Sequence, residues 1–159
     1  MADLLVRLYA LPDAAVARAR ASAAGIDVRR ANPWERSPVV DWVAAAFSRA
    51  WADECATAFA HVPPRCFVAV RGGALAGFAC HDVTRRNFFG PMGVDPAARG
   101  AGAGAALALA ALTAMRDAGY AYAIVGGAGP AAFYAHVAGA TPIDGSTPGI
   151  YDFTLLRAP

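Results

Sequence analysis

Apolar positions along this chain change their period several times, and each change marks an element. After Ser37-Pro38, a capping serine and a first-turn proline, Val39, Val43 and Phe47 recur at i and i+4, which predicts a helix, with a second helical piece from about Trp51 to Ala60. Pro63-Pro64 stops it. Cys66 to Val70 and Leu75 to Asp82 read as a hairpin about Gly72-Gly73, and the apolar run Phe88 to Val94 as the next strand. Within that run Pro91 donates no hydrogen bond and Gly90 weakens the ladder, so a bulge is the natural resolution, with a turn between two short strands as the alternative. Leu107, Ala108, Leu112 and Met115 share one face of a helix of about 15 residues. Gly119 caps it, and Tyr120 to Val125 follows as a buried parallel strand, closing a right-handed crossover. A helix from Pro130 to Val137 and an antiparallel closing pair, Ala140 to Ile143 with Ile150 to Leu156, complete the pattern, with Tyr151, Phe153 and Leu155 on one face. The fold class is α/β.

Two segments compete to be the first strand, Leu4 to Leu11 and Ile26 to Ala31. Between them Pro12 ends the earlier strand, Asp13 stands near the start of a helix, and Gly25 lies just past its end. The apolar stripe of that helix, Val16 with small alanines, is thin. It therefore packs onto the main sheet or onto a partner subunit, which keeps a homodimer open.

At 159 residues the chain suits one domain with a substantial core. Apolar residues make up 57% of it, but much of that is alanine, and no run approaches the ~20 strongly apolar residues of a membrane span. No membrane association is expected. The start MADLLVRLYALPD carries Asp3 where an export signal has basic residues, so a cytoplasmic location is the expectation. A formal charge of +2 without clustered arginines gives no reason to expect nucleic acid. Three cysteines make an odd count, against a secreted disulfide scaffold. With Gly72-Gly73 as the turn, Val70 faces Leu75 and Cys66 faces Ala79. Cys80 then falls on the opposite face of the sheet from Cys66, so no bond between them is expected, and with none of the three in a C-x-x-C or a Cys/His cluster of ligand spacing no metal site is expected either.

The candidate chemistry lies in V-D-P-A-A-R-G-A-G-A-G, from Val94 to Gly104. Gly100, Ala101, Gly102, Ala103 and Gly104 carry nothing beyond Cβ, so their backbone N–H groups can approach a ligand closely, and the helix that follows adds unpaired donors and partial positive charge. That is a phosphate cradle. A P-loop needs a lysine, and all fourteen basic residues here are arginine. The dinucleotide fingerprint G-x-G-x-x-A is formally present from Gly100 to Ala105, yet it wants an acidic residue about 20 positions on, where the chain reads Ile124-Val125-Gly126-Gly127. Followed by a helix, a strand, Phe133-Tyr134 and Gly139-Ala140, the motif resembles the acetyl-CoA site of GNAT-superfamily N-acetyltransferases. The resemblance covers roughly residues 26 to 156. Two departures stand out: Tyr134 is five residues before Gly139 where four is commoner, and Gly126-Gly127 replaces a polar residue, removing one expected cofactor contact.

The resemblance implies a mixed, mostly antiparallel sheet whose central parallel strand pair is split by a β-bulge, with helices on both faces. It makes Ile26 to Ala31 the opening strand, residues 1–24 an N-terminal extension and residues 25–159 the acetyltransferase domain. Acetyl-CoA is implied as cosubstrate, held by Met92, Gly93, Val94, Arg99, Gly100, Ala101, Gly102, Ala103, Gly104, Phe133 and Tyr134, with the backbone of Met92 and Val94 pairing to the pantetheine arm. Tyr134 is implied as the acid that meets the departing thiolate. The helical pair borders the acceptor cleft, which makes Trp34, Trp42, Trp51, Glu35, Asp41, Asp53 and Glu54 available as contacts, although most such residues are core or solvated face. The loop Asp144 to Gly149 overhangs the same site.

The acceptor implied is a primary amine on a small molecule or a peptide. Freeing an alkyl ammonium of pKa near ~10.4 at neutral pH costs about 4 kcal/mol, so a base is worth seeking. Asp82 is the first choice, ahead of Glu35, His81, His61 and His136. A non-catalytic acyl-CoA-binding module and a dinucleotide-binding protein are the rival classes.

Overall fold

In the computed structural model, which describes residues 1–152, the elements run β1 (Leu4–Arg7), α1 (Ala14–Ala23), β2 (Ile26–Arg30), α2 (Arg36–Ala46), α3 (Arg49–Ala58), β3 (Cys66–Arg71), β4 (Ala74–His81), β5 (Phe88–Val94), α4 (Ala103–Asp117), β6 (Tyr122–Val125), α5 (Ala131–Ala138) and β7 (Thr141–Pro142). The strands make one seven-stranded mixed sheet in the order β2-β3-β4-β5-β6-β1-β7. Only β5 and β6 are parallel among its pairs. No helix among the described residues is long and apolar enough to cross a membrane.

Strand periodicity divides the core in two. Phe67, Ala69, Ala76 and Ala79 face α4, where Leu107, Leu112 and Met115 are fully buried, each burial contributing roughly 1.5–3 kcal/mol. Val68 and Phe78 face the other way, against Val39 and Val43 of α2 and Ala52 of α3. Helices thus cover both faces.

Local chemistry sets the helix starts. Asp13 accepts from Ala15 N at 2.9 Å to open α1, and Ser48 accepts from Trp51 N at 3.2 Å to open α3. Before α2 an Asn32/Glu35 capping box leads through a 3-10 turn at Pro33–Glu35, so the helix begins at Arg36 rather than at Ser37.

Three expectations change. Leu4–Arg7 is an internal strand, paired with β6 on one side and β7 on the other, with Leu4 and Val6 buried. Of the two placements expected for residues 4–24, the structure shows packing on the main sheet, where β1 satisfies both of its backbone edges and α1 packs on α4. The closing pair is also different: Thr141–Pro142 pairs with β1, and Gly149–Asp152 forms a 3-10 turn where a strand from Ile150 was expected. The remainder of that strand, Phe153 to Leu156, lies outside the described residues.

The third change is in the hairpin. Val70 does face Leu75, but a bulge between Ala69 and Val70 shifts the register by one, so Ala69 faces Gly77 and Cys66 faces Cys80. A one-residue slip moves every later side chain to the other face. The two cysteines expected on opposite faces therefore share one.

Candidate functional site

The parallel pair β5–β6 is short. Phe88 faces Ile124 and Phe89 faces Val125, and the pairing ends there. On the β4 side, Ala79 faces Met92 while His81 faces Phe89, so β5 carries one residue more than its partner around Gly90-Pro91. That is the expected bulge. Beyond it the strands part, and the gap between Gly90–Val94 and Val125–Gly127 opens into a cavity of about 1350 Å³.

The glycine-rich loop forms one end of this cavity. Gly102, at φ 90°, precedes the first turn of α4, whose opening N–H groups have no intrahelical partner. Gly100, Gly102 and Gly104 line the cavity, as do Met92, Gly93, Val94, Arg99, Phe133 and Tyr134. Ala101 and Ala103 do not, and Ala103 is buried in the core behind the loop. Arg99 also donates from Nε to the Val94 carbonyl at 3.3 Å. A second arginine at this end was not foreseen: Arg20 of α1 lies along Gly102 and lines the cavity. Both cavity-lining arginines thus stand beside the helix N-terminus, a cationic end suited to phosphates.

The same cavity runs past Phe133 and Tyr134 to a second, aromatic end. Tyr134 is buried, packs edge-on against Phe89 and Phe133 at 5.8 and 5.0 Å, and burial pushes its phenol up to about 12. Phe47 and Trp51 continue the wall, with ring centroids 5.5 Å apart. The Phe47 ring lies where a Cβ on Gly93 would stand, which is why that position is glycine. Tyr151 fills the corresponding place over Gly126, its hydroxyl against the glycine. A phenol from the 3-10 turn Gly149–Asp152 thus stands beside the stretch after β6 that carries no polar side chain.

Glu54 of α3 is the carboxylate at this end. Its Oε2 accepts from Thr84 Oγ1 at 3.1 Å, both residues line the cavity, and burial holds its pKa above the ordinary glutamate value, against the lowering pull of that bond. Trp51 and Glu54, three positions apart, share one side of α3, and Phe47 joins them from the C-cap of α2.

The base candidates ranked ahead of it are engaged elsewhere. Asp82 has a side chain only 2% exposed, accepts from Asn87 N at 2.7 Å, and stands 3.3 Å from His81 Nδ1 and 3.9 Å from Arg65. It holds the turn after β4 and does not line the cavity. His81 is buried beside Phe67, with its pKa lowered by burial. Both Glu35 oxygens receive Arg29, at 2.7 and 2.8 Å, and Oε2 also caps Asn32 N. The hydrogen bonds from Arg29 bring its pKa to about 2. His61 is off the cavity, whereas His136 lies on its exposed rim.

A sequence model of the acetyltransferase (GNAT) family matches residues 36–139. No curated protein matches the sequence. Among solved structures, the chain is similar to a GCN5-related glucosamine N-acetyltransferase region of a fungal multi-domain GH3 β-N-acetylglucosaminidase, at 18% identity and a TM-score of 0.68, over 89% of this chain and 19% of that one. It is also similar to a GCN5-related N-acetyltransferase from Sphaerobacter thermophilus, at 17% identity and a TM-score of 0.67, over 89% of this chain and 48% of the other. It spans about a fifth of the first and about half of the second.

Proposed function

The chain belongs to the GNAT acetyltransferase family, and on that premise we propose that it moves an acetyl group from acetyl-CoA to the primary amine of a small acceptor with an apolar body. One observation carries the reading: the parting of β5 and β6 opens onto the N-terminus of α4 at one end and onto Tyr134, Trp51 and Glu54 at the other. A single cavity therefore offers phosphate donors, an open strand edge, a phenol and a carboxylate in sequence. The glycines fit the group, since Gly100, Gly102 and Gly104 all line the cavity and present backbone to it without side chains.

When bound, acetyl-CoA supplies the activated thioester carbonyl. Gly100, Gly102, Gly104 and Arg20 would hold its phosphates, and the free edge of β5 at Met92 and Val94 would orient its arm. Glu54 is placed to take up the proton that the acceptor nitrogen sheds as its bond to the acyl carbon forms, when that nitrogen has become far more acidic than the free ammonium. The amine nitrogen would form its bond to the acyl carbon as the carbon–sulfur bond breaks, its second proton passing to the released thiolate. Tyr134 directs its hydroxyl to the departing sulfur. A phenol at about 12 lies above an ordinary thiol by about 5 kcal/mol in proton affinity, so Tyr134 acts chiefly by donating a hydrogen bond.

The acceptor end supports an apolar amine. Phe47, Trp51, Phe89 and Tyr151 form its walls, and both cavity-lining arginines stand at the other end. A panel of primary amines, assayed for acetyl-CoA-dependent thiol release, tests this. Aromatic and branched aliphatic amines are expected to turn over fastest; acetyl-CoA binding without turnover of any amine overturns the enzymatic reading in favour of a sensor module.

A further inference from the structure

On the face of the sheet covered by α2 and α3, cysteines from three elements converge. Cys55 comes from α3, Cys66 from β3 and Cys80 from β4, and their Sγ atoms all lie within 4.8 Å of one another. The hairpin bulge creates the arrangement, by setting Cys66 directly opposite Cys80. All three residues are fully buried, and none lines the acyl-transfer cavity. The buried side chains around them are the apolar Ala31, Val39, Val43, Ala52, Val68 and Phe78, with Arg30, Glu35 and Arg36 acting on the sulfurs from the edge of that cluster.

Three thiolates bound to one atom at about 2.3 Å stand about 3.5–4 Å apart, so small side-chain rotations bring these sulfurs to a common ion. Among the described residues no histidine or carboxylate joins the group. A tetrahedral ion lacks its fourth ligand there, and an apolar core supplies no water. Charge narrows the choice further. Three thiolates around a monovalent or divalent ion leave net negative charge in that core, which costs several kcal/mol unless paired. A trivalent ion leaves none.

We propose that Cys55, Cys66 and Cys80 form a three-sulfur site for a trivalent thiophilic metalloid, with trivalent arsenic as the type. Arsenous acid enters by condensation: three sulfur–arsenic bonds form, three arsenic–oxygen bonds break, and each hydroxide leaves as water with one thiol proton. No redox change occurs, and the adduct is uncharged.

The test uses the full chain, kept reduced with a phosphine, and sodium arsenite as probe. Native mass spectrometry should show one arsenic per chain with three thiol protons lost, and X-ray absorption three sulfurs and no oxygen around it. Cys55→Ala should weaken arsenite binding at least a hundred-fold. Two-sulfur coordination in the wild type, or undiminished affinity in the folded variant, overturns the site. Should Cys55→Ala fail to fold, the wild-type absorption spectrum decides by itself. Competition with cadmium and zinc tests the charge argument: either ion bound more tightly than arsenite overturns the assignment to a trivalent ion.

Discussion

Asp3 Oδ1 accepts a hydrogen bond from Gly127 N at 2.8 Å, joining the residue before β1 to the end of β6, 124 positions away. The same residue donates its N–H to Ser146 Oγ at 2.8 Å and accepts from Ile143 N at 2.9 Å, so it also fixes the loop that leads to Tyr151. Asp3 is 7% exposed. Asp3→Ala leaves the Gly127 N–H without this acceptor, a loss of about 1–3 kcal/mol for a buried group. Chemical denaturation should show it, and Asp3→Asn, which retains an acceptor oxygen, should lose less. Equal stability of Asp3→Ala and wild type would mean that water replaces the bond.

Gly104 is the better place to close the phosphate end. Gly102 has φ 90°, and a Cβ there would stand 3.1 Å from Arg20 Cγ and 3.3 Å from Ala21 N, so any substitution disturbs α1 as well as the ligand. Gly104 lies inside α4, where valine is no worse a helix former than glycine, and its Cβ would meet Phe133 at ordinary contact. Gly104→Val should therefore fold with a melting temperature near wild type while raising the acetyl-CoA dissociation constant at least ten-fold. Calorimetry on the folded variant decides; unchanged affinity removes the loop from the binding site.

The features that could be read from the sequence are those encoded locally. The glycines before α4, the helical stripe through Met115 and the awkward Gly90-Pro91 each state their role within a few residues. What the sequence hid depends on distant partners. Nothing near Leu4 says that it will pair with Val125 and Pro142, and Gly77, beside the bulge that brings Cys66 opposite Cys80, is a single glycine inside an apolar run that does not by itself place a register shift. Asp82 and Glu54 show the same limit at the site. Both are acids at plausible positions, and only the tertiary fold turns Asp82 toward Asn87 N and Glu54 toward the cavity.

Tyr134→Phe removes one hydroxyl and keeps the ring that packs on Phe89 and Phe133. Melting temperature and acetyl-CoA affinity should stay nearly unchanged, while kcat on a true acceptor falls about ten- to a thousand-fold, the range expected when one donor to a developing charge is lost. A leaving group of lower thiol pKa needs less help, so the defect should shrink with activated thioesters. Wild-type turnover by the variant would return Tyr134 to the core.

The proposed role of Glu54 makes the reaction depend on acid. As a base it works only when ionised, so activity falls as pH drops through its folded pKa, which burial sets above the ordinary value of 4.5. The sign for stability is opposite: a carboxyl with a raised folded pKa stabilises the protein most below 4.5, and that contribution is lost as pH rises through the folded value. Replacement by glutamine keeps the size and an acceptor for Thr84 but removes both effects. Glu54→Gln should lower kcat/KM at neutral pH by about 10²- to 10⁴-fold, the usual contribution of a positioned base, and abolish the acid limb of the pH profile. It should also be slightly more stable than wild type at neutral pH, where a half-buried charge has been removed. A variant that retains both its rate and its acid limb would show that the amine sheds its proton elsewhere, through His136 at the rim or through solvent before it enters.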